Sequence, residues 1–277
     1  MDTWTAGDTI VNGIKIHYHR TGGDRPALVL AHGITDNGLC WTRVACVLQQ
    51  DYDVIMLDAR GHGLSASPAG GYALDDLAAD LAGAIEALKV KGTAIIGHSM
   101  GAATAALMAV CHPGLVSCLI LEDPGWWLAD ESDERRAQLA AFRDMLMERR
   151  KVQSPADLAA FGRQMTPSWA EEEFGPWAEA KFQFHPNVFD QAQCQTGDWR
   201  EIVPKIKVPT LLITADVKLG AIITTEISEQ VRRLNSNIQT VHIPESGHNI
   251  RRDQFERYIQ AVQQFLDKNY IANRLIL

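Results

Sequence analysis

Short apolar runs alternate with amphipathic stretches along the first half of the chain. Continuous apolar runs at residues 27–31, 54–57, 94–96 and 116–121 predict strands that are covered on both faces of a sheet. Leucine and isoleucine recur at three- and four-residue steps over residues 74–88, which predicts an amphipathic helix. Strands and helices in this alternation indicate right-handed βαβ units and a mostly parallel sheet.

Both ends of the chain add strands to this pattern. Residues 9–20 alternate apolar and polar side chains around Asn12-Gly13, a dipeptide typical of tight hairpins, so two antiparallel strands are predicted there. Apolar runs that predict buried strands occur again at residues 210–216 and 240–244. The tail at 268–277 gives no clear signal.

The pattern changes in the middle of the chain. Residues 126–200 contain charged helical stretches and many aromatic side chains but no convincing buried strand. We therefore expect a core domain from residues 1–125 and 201–277, with a helical cap inserted at 126–200. The aromatic side chains suit the packing of a small insertion, and lining an apolar pocket is the alternative.

Composition narrows the classes of partner. The chain has 277 residues, 46% of them hydrophobic, with a net charge of −8, which argues against nucleic acid and anionic membranes. The N-terminal residues resemble no signal peptide, and no apolar run is long enough to span a membrane, so a cytoplasmic protein is expected. The five cysteines are odd in number and form no C-x-x-C pair, which favours reduced, mostly buried thiols over disulfides or a zinc site.

The candidate nucleophile is Ser99. It stands in Gly97-His98-Ser99-Met100-Gly101, where a β-branched apolar run stops and a stretch of strong helix formers begins. This strand–turn–helix context is that of the G-x-S-x-G nucleophile elbow, in which the Met100 amide is free to donate to an anion. The alternative is a serine that merely caps the helix through the first-turn amides.

A second amide donor is predicted in the loop after the run at 27–31. His32-Gly33-Ile34 leads from that strand towards a helix, and the Ile34 amide can point back towards Ser99. Together, the Ile34 and Met100 amides would form an oxyanion hole. A plain strand-to-helix turn is the alternative for this loop.

A base and an acid are predicted at the same sheet edge, because the carboxyl ends of parallel strands lie together. His248 follows a glycine in a loop that is poorly suited to the core, and it is the candidate base. Asp216 ends the preceding strand and is the preferred acid, giving the order Ser99, Asp216, His248. Asp123, just past the run at 116–121, is the alternative acid.

These motifs together resemble the α/β-hydrolase fold, in the broad group of esterases, lactonases and C–C hydrolases. The resemblance rests on His32-Gly33, Asp58-x-Arg60-Gly61-His62-Gly63, the Ser99 elbow, Asp216 and Gly247-His248. It implies an α/β fold with a mostly parallel eight-stranded sheet flanked by helices, and a helical cap inserted after the sixth strand. Strand seven departs from the group's frequent Gly-x-x-Asp ending, and some members place the acid after strand six.

Within the second of these motifs we predict structural roles. Asp58 and Arg60 are expected to form an ion pair that shapes the loop, and His62 between its glycines is expected to be structural.

The implied function is a serine hydrolase that cleaves a carboxylic ester or lactone of a small to medium apolar or aromatic substrate, without metal or cofactor. His98, Trp126 and Trp127 are the candidates for the substrate pocket. A small-molecule substrate and a monomer or homodimer are expected. A C–C bond hydrolase with the same triad, or a ligand receptor on this fold, remain the alternatives.

Overall fold

Eight strands form a single sheet in the computed structural model, which describes residues 4–126, 132–189 and 198–271. The strands are β1 (Thr5–Val11), β2 (Ile14–Arg20), β3 (Ala27–Ala31), β4 (Asp53–Leu57), β5 (Thr93–His98), β6 (Val116–Glu122), β7 (Thr210–Thr214) and β8 (Ile238–His242). Their order is β1-β2-β4-β3-β5-β6-β7-β8, with β1 and β2 antiparallel to their neighbours and the other pairs parallel. The predicted mostly parallel, eight-stranded α/β fold is confirmed.

Helices cover both faces of this sheet. They are α1 (Thr42–Leu48), α2 (Leu74–Ala87), α3 (Met100–Cys111), α4 (Ser132–Val152), α5 (Pro155–Met165), α6 (Glu171–Gln183), α7 (Trp199–Ile202), α8 (Thr225–Leu234), α9 (Ile250–Asp253) and α10 (Phe255–Leu266). Along β5, Ile95 belongs to the apolar cluster that includes α2, α3 and α8 on one face, and Ile96 belongs to the cluster that includes α1 and α10 on the other. Burial of alternate side chains on opposite faces explains why these strands are apolar throughout.

The described residues between β6 and β7 are helical. Helices α4 to α6 occupy most of 132–189, and α5 and α6 enclose a small apolar cluster of Leu158, Ala159, Trp169, Phe174 and Ala178. A second cluster joins this region to the sheet domain through Tyr72, which packs with Leu146, Phe184, Val188 and Phe189. Most of the described aromatic side chains of this region therefore pack, as the sequence favoured.

The described cysteines are free thiols, and they divide between interior and surface. Cys40 and Cys118 are buried, whereas Cys46 and Cys111 are exposed, so the expectation of mostly buried thiols fits half of them. No group of histidine, cysteine and acidic side chains in the described ranges could hold a metal ion. None of the described helices combines the length and apolar character that a bilayer crossing needs.

Candidate active site

Ser99 lies in the tight turn between β5 and α3. Its backbone has a φ of 51° and a ψ of −114°, a left-handed conformation that is strained for a serine. Its side chain makes no capping hydrogen bond to the helix, so the capping alternative does not describe this serine. The hydroxyl is held at the start of α3, where the local field favours negative charge.

Two glycines make this turn possible. A Cβ built on Gly97 would lie 2.5 Å from the Gly101 carbonyl oxygen, and one built on Gly101 would lie 2.2 Å from the Ala31 carbonyl oxygen. Both contacts are with backbone atoms, which cannot rotate away. The strand and the helix therefore approach each other closely at this turn.

Gly101→Ala is expected to lower the free energy of unfolding by about 3 kcal/mol or more, because β3 and α3 must separate to admit the methyl group. Urea denaturation measures the change. Gly114→Ala is the matched control, because a Cβ there meets no atom within 4 Å. Equal stability of the two variants would show that the elbow can relax.

The proposed amide donors lie beside the serine. A Cβ built on Gly33 would lie 3.3 Å from the Ser99 Cβ, so the loop after β3 packs directly against the elbow. Ile34, Met100 and Ser99 line one cavity. Neither the Ile34 nor the Met100 amide donates to another group in the part of the chain that the structure describes, which leaves both available to a developing oxyanion.

His248 is paired with Asp123. Its Nδ1 donates to the Asp123 carboxylate over 2.6 Å, and that carboxylate is fully buried. The same carboxylate accepts the backbone N–H groups of Ile222 at 2.8 Å and Ile223 at 2.9 Å. Three donors thus fix the acid, and the bond at Nδ1 leaves Nε2 of His248 as the nitrogen that can serve as a base.

The predicted pairing of Asp216 with His248 is wrong. The Asp216 carboxylate accepts from His242 Nε2 at 3.2 Å and from the Glu245 backbone N–H at 3.0 Å, and the Glu245 bond chiefly lowers its pKa. The difference lies in what holds each carboxylate. The Ile222 and Ile223 amides hold Asp123, after β6, against His248, whereas the Glu245 amide and His242 hold Asp216, after β7.

His98 supports the histidine loop from inside the site. It lines the cavity, and its Nε2–H donates to the His248 carbonyl oxygen over 2.9 Å. Burial holds the pKa of His98 well below its usual range, so the ring stays neutral. His98 therefore positions the His248 backbone in addition to forming part of the pocket wall.

A buried ionic cluster at the same edge was missed by sequence reasoning. Asp36, in the loop after β3, accepts from Lys181 of α6 at 2.6 Å and from Arg252 of α9 at 3.0 Å, and Arg251 lies 3.3 Å away. Burial by itself raises the pKa of Asp36, but the three cations hold it well below its usual range. The cluster ties the helical region to α9, which begins two residues after His248.

Two further acids complete this cluster behind the site. Arg251 pairs with Glu122, at the end of β6, over 3.1 Å, and Arg252 pairs with Glu173 of α6, also over 3.1 Å. All four side chains are almost fully buried. Only a charge run of Arg251-Arg252 was visible in the sequence, and such runs are usually solvated.

Asp36→Asn is expected to lower the free energy of unfolding at pH 7 by about 3–5 kcal/mol, because it leaves buried cations without their counter-charge. The folded-state pKa of Asp36 is depressed, so its contribution is present above the unfolded pKa of about 4 and is lost as pH falls below it. Denaturation at several pH values should show that the difference in free energy of unfolding between wild type and Asp36→Asn becomes smaller below a pH of about 4. Asp24→Asn, at an exposed turn, is the control; a gap independent of pH would contradict the assignment.

The cavity beside Ser99 has a volume of about 400 Å³. Its apolar wall consists of Ile34, Leu74, Leu77, Phe142, Trp177 and Val188. Its charged wall carries three cations, Arg60, Lys181 and Arg252, and one carboxylate, Asp36. A ligand in this cavity meets more positive than negative side chains, although each cation already has an acidic partner.

The predicted ion pair between Asp58 and Arg60 is wrong. Arg60 pairs instead with Asp80 of α2, with its Nε 2.6 Å from the carboxylate. The Asp58 carboxylate accepts the backbone N–H groups of Gly38 at 2.7 Å and Leu64 at 2.8 Å. Asp58 still shapes the loop, but through backbone amides.

One of the two tryptophans predicted for the substrate pocket lies in the described residues, and it is not part of the cavity lining. Trp126 is 1% exposed and stacks on Trp199 within the core, with ring centroids 6.0 Å apart, so it does not line the cavity as predicted. Both tryptophans belong to the core cluster that includes α3. Trp127 lies outside the described residues. A tryptophan of α6 that was not singled out, Trp177, lines the cavity.

Comparison with known proteins agrees with this geometry. The sequence profile of the alpha/beta hydrolase fold family matches residues 26–251. The chain is 31% identical over 275 residues to N-formylmaleamate deformylase of Pseudomonas putida, covering 96% of this chain and 98% of that protein. It is 27% identical to 2-(acetamidomethylene)succinate hydrolase of Mesorhizobium japonicum, covering 90% of both.

Solved structures share the fold. The crystal structure of E-2-(acetamidomethylene)succinate hydrolase superposes with a TM-score of 0.80 at 21% identity, covering 96% of this chain and all of that one. The chain therefore belongs to the alpha/beta hydrolase fold family and is a hydrolase.

Proposed function

We propose that this protein is a serine hydrolase that removes a small N-acyl group from a carboxylate-bearing amide through an acyl-enzyme on Ser99. The observation that carries the proposal is the buried Asp123–His248 pair at 2.6 Å beside the strained Ser99 on one cavity. A strained serine, a histidine oriented by a buried acid and two unpaired amides are the parts that acyl transfer needs.

The reaction begins when Ser99 Oγ attacks the carbonyl carbon and His248 Nε2 takes the hydroxyl proton. Asp123 orients the imidazole and stabilises its cationic form. The Ile34 and Met100 amides donate to the oxyanion, an effect worth about 3–4 kcal/mol per donor in a comparable hydrolase. His248 then gives the proton to the leaving nitrogen, and the C–N bond breaks.

The acyl-enzyme is released by the same groups. His248 takes a proton from a water molecule, which attacks the acyl carbon and forms a second oxyanion in the same hole. Its collapse returns the proton to Ser99 and frees a small carboxylic acid. Every proton in both halves passes through His248 Nε2, so no metal is needed for this chemistry.

Two arguments support the substrate class. The names of the two relatives both specify an N-acyl group, formyl or acetyl, on a skeleton that bears carboxyl groups. On this chain, Lys181, Arg252 and Arg60 bring N–H donors to the cavity wall, each beside its acidic partner, and such donors favour a substrate carboxylate.

Esters and lactones, the sequence-based expectation, are the second candidate. Their cleavage uses the same acyl-enzyme, and the apolar wall with Phe142 and Trp177 suits an apolar or aromatic group. We rank C–C bond cleavage and a ligand receptor with weak turnover below the amide and ester candidates. An intact set of Ser99, His248 and Asp123 favours turnover by acyl transfer.

The test is steady-state hydrolysis of N-acetyl and N-formyl amides, each prepared with and without a free carboxylate. p-Nitrophenyl esters from acetate to decanoate and a small lactone panel complete the set. We expect the highest kcat/KM for the amides that carry a carboxylate, and loss of every rate in Ser99→Ala. Faster cleavage of esters or lactones would favour the second candidate. Fluorophosphonate labelling of Ser99 without any turnover would favour C–C cleavage or the receptor.

A further inference from the structure

The loop after β3 makes a tight turn that carries the Ile34 amide. The Asp36 N–H donates to the Gly33 carbonyl oxygen over 3.1 Å, so residues 33–36 form a β-turn. A planar trans peptide places the Ile34 N–H on the side opposite the Gly33 carbonyl oxygen. The direction of this N–H therefore depends on how firmly the turn is kept closed.

Thr35, the third residue of this turn, has a strained backbone. Its φ is 68°, in the left-handed region where turns usually place glycine or asparagine, and its side chain is β-branched. Such a conformation costs about 1–3 kcal/mol and persists only where surrounding groups hold it. Thr35 is buried, so these groups must come from the protein.

Lys181 of α6 supplies such a group. Its Nζ donates to the Thr35 carbonyl oxygen over 3.1 Å and to the Asp36 carboxylate over 2.6 Å. In the part of the chain that the structure describes, the Thr35 carbonyl accepts no other hydrogen bond. The Lys181 side chain is almost fully buried, where a charge-assisted hydrogen bond is strong. A cation from the helical region thus holds the last two residues of the turn.

The first half of the turn is held from the sheet domain. The Nδ1–H of His32 donates to the Gly33 carbonyl oxygen over 2.8 Å, and its Nε2 accepts the Ala59 amide over 3.0 Å. This buried histidine fixes the start of the turn. The Ile34 N–H therefore lies between a half held by the sheet domain and a half held by α6.

We propose that Lys181 is a positioning residue that keeps this turn closed and so directs the Ile34 N–H towards the oxyanion. The inference rests on the acyl transfer at Ser99 proposed above, and it holds for an amide and for an ester substrate. Without the ammonium, the Thr35 carbonyl loses its donor and the strained turn relaxes. The Ile34 amide is then misdirected, which weakens stabilisation of the transition state more than binding of the substrate.

Lys181→Met removes the donor and keeps the length of the side chain. Asp36 keeps Arg251 and Arg252 as partners, so the variant is expected to fold. On p-nitrophenyl acetate, which has no carboxylate for Lys181 to bind, kcat should fall by about 10- to 100-fold and KM should change by less than about 3-fold. Lys181→Arg, whose guanidinium has donors for both acceptors, should recover most of the loss.

Glu172→Gln is the control on the same helix. Glu172 pairs with Arg43 of α1 over 3.4 Å, so this variant removes a contact between α6 and the sheet domain without touching the turn. Its kcat should stay within about 3-fold of wild type. An equal loss in Glu172→Gln and Lys181→Met would assign the effect to the seating of α6 and overturn the role of Lys181.

Two ketones test the oxyanion hole without turnover. Ser99 Oγ adds to the carbonyl carbon of trifluoroacetophenone, the carbonyl oxygen becomes the oxyanion, and the hydroxyl proton passes to His248 Nε2. Acetophenone has the same ring but a much less reactive carbonyl. Fluorine NMR detects the adduct, and protection from fluorophosphonate labelling gives both affinities. In Lys181→Met the affinity should fall by at least about 10-fold for trifluoroacetophenone and by less than about 3-fold for acetophenone.

The outcomes separate this inference from the proposed reaction. An unchanged preference for trifluoroacetophenone in Lys181→Met, or equal losses for the two ketones, would overturn the role of Lys181. If Lys181→Met does not fold, Lys181→Gln, a polar side chain that ends one bond short of the ammonium, is judged in the same way. No adduct in the wild-type protein would refute acyl transfer at Ser99, and this inference with it. An adduct that depends on Lys181, without turnover of any amide, would support the role of Lys181 and count against the amide substrate.

Discussion

Ser99→Ala is expected to lower kcat by at least about 10⁴-fold on every substrate that the protein hydrolyses, because it removes the attacking oxygen. The amides of Ile34 and Met100 and the Asp123–His248 pair would remain, so some rate above that in water should persist. Alanine keeps the backbone conformation of the elbow, and the melting temperature should change little. Steady-state kinetics and thermal unfolding measure the two effects.

Ser117→Ala is the control for this variant. Its hydroxyl donates to the Gly92 carbonyl over 2.7 Å at the far end of β6, so its loss removes a hydrogen bond without touching the site. Its kcat should stay within about 3-fold of wild type. Wild-type turnover in Ser99→Ala would refute Ser99 as the nucleophile.

Asp123→Asn is expected to lower kcat by about 10⁴-fold, as in a comparable triad where an asparagine stabilises the wrong tautomer of the histidine. The carboxylate that faces His248 Nδ1 would become an amide that can donate, so Nε2 would carry the proton and lose its basicity. The Ile223 amide can still donate to the remaining oxygen, whereas the Ile222 amide shares with His248 the oxygen that is replaced and loses its acceptor. Asp123 does not line the cavity, so binding of substrate should change less than kcat.

Asp216→Asn provides the comparison that separates the two acids. Asp216 is bonded to His242 and to the Glu245 amide at the edge of the sheet, and its loss should change kcat by less than about 3-fold. A large loss of kcat in Asp216→Asn together with a small loss in Asp123→Asn would show that Asp216, the residue that the sequence favoured, is the acid.

The sequence predicted the features that depend on local pattern. Continuous apolar runs identified the buried strands, since a strand covered on both faces has no polar position to spare. The glycines around Ser99 identified the elbow, because only a residue without a Cβ fits between β5, α3 and the Ala31 carbonyl. His248 was recognised because its loop was too polar for the core.

The sequence did not predict contacts between side chains that are distant along the chain. Asp123 and Asp216 both follow buried strands, and the sequence does not show that Asp123 is held against His248 while Asp216 is held by His242 and the Glu245 amide. The ionic cluster around Asp36 joins residues up to 216 positions apart, and nothing in a local window relates them. Trp126 stacks on Trp199, which is distant in the sequence, so no local pattern showed that it would be buried away from the cavity.

The most direct test of the account is the rate at which a fluorophosphonate labels the protein, with the modified residue identified by peptide mass spectrometry. The account predicts one adduct, on Ser99, which forms far more slowly in Asp123→Asn and at the wild-type rate in Asp216→Asn. An adduct on another residue, or slow labelling in Asp216→Asn with normal labelling in Asp123→Asn, would contradict it.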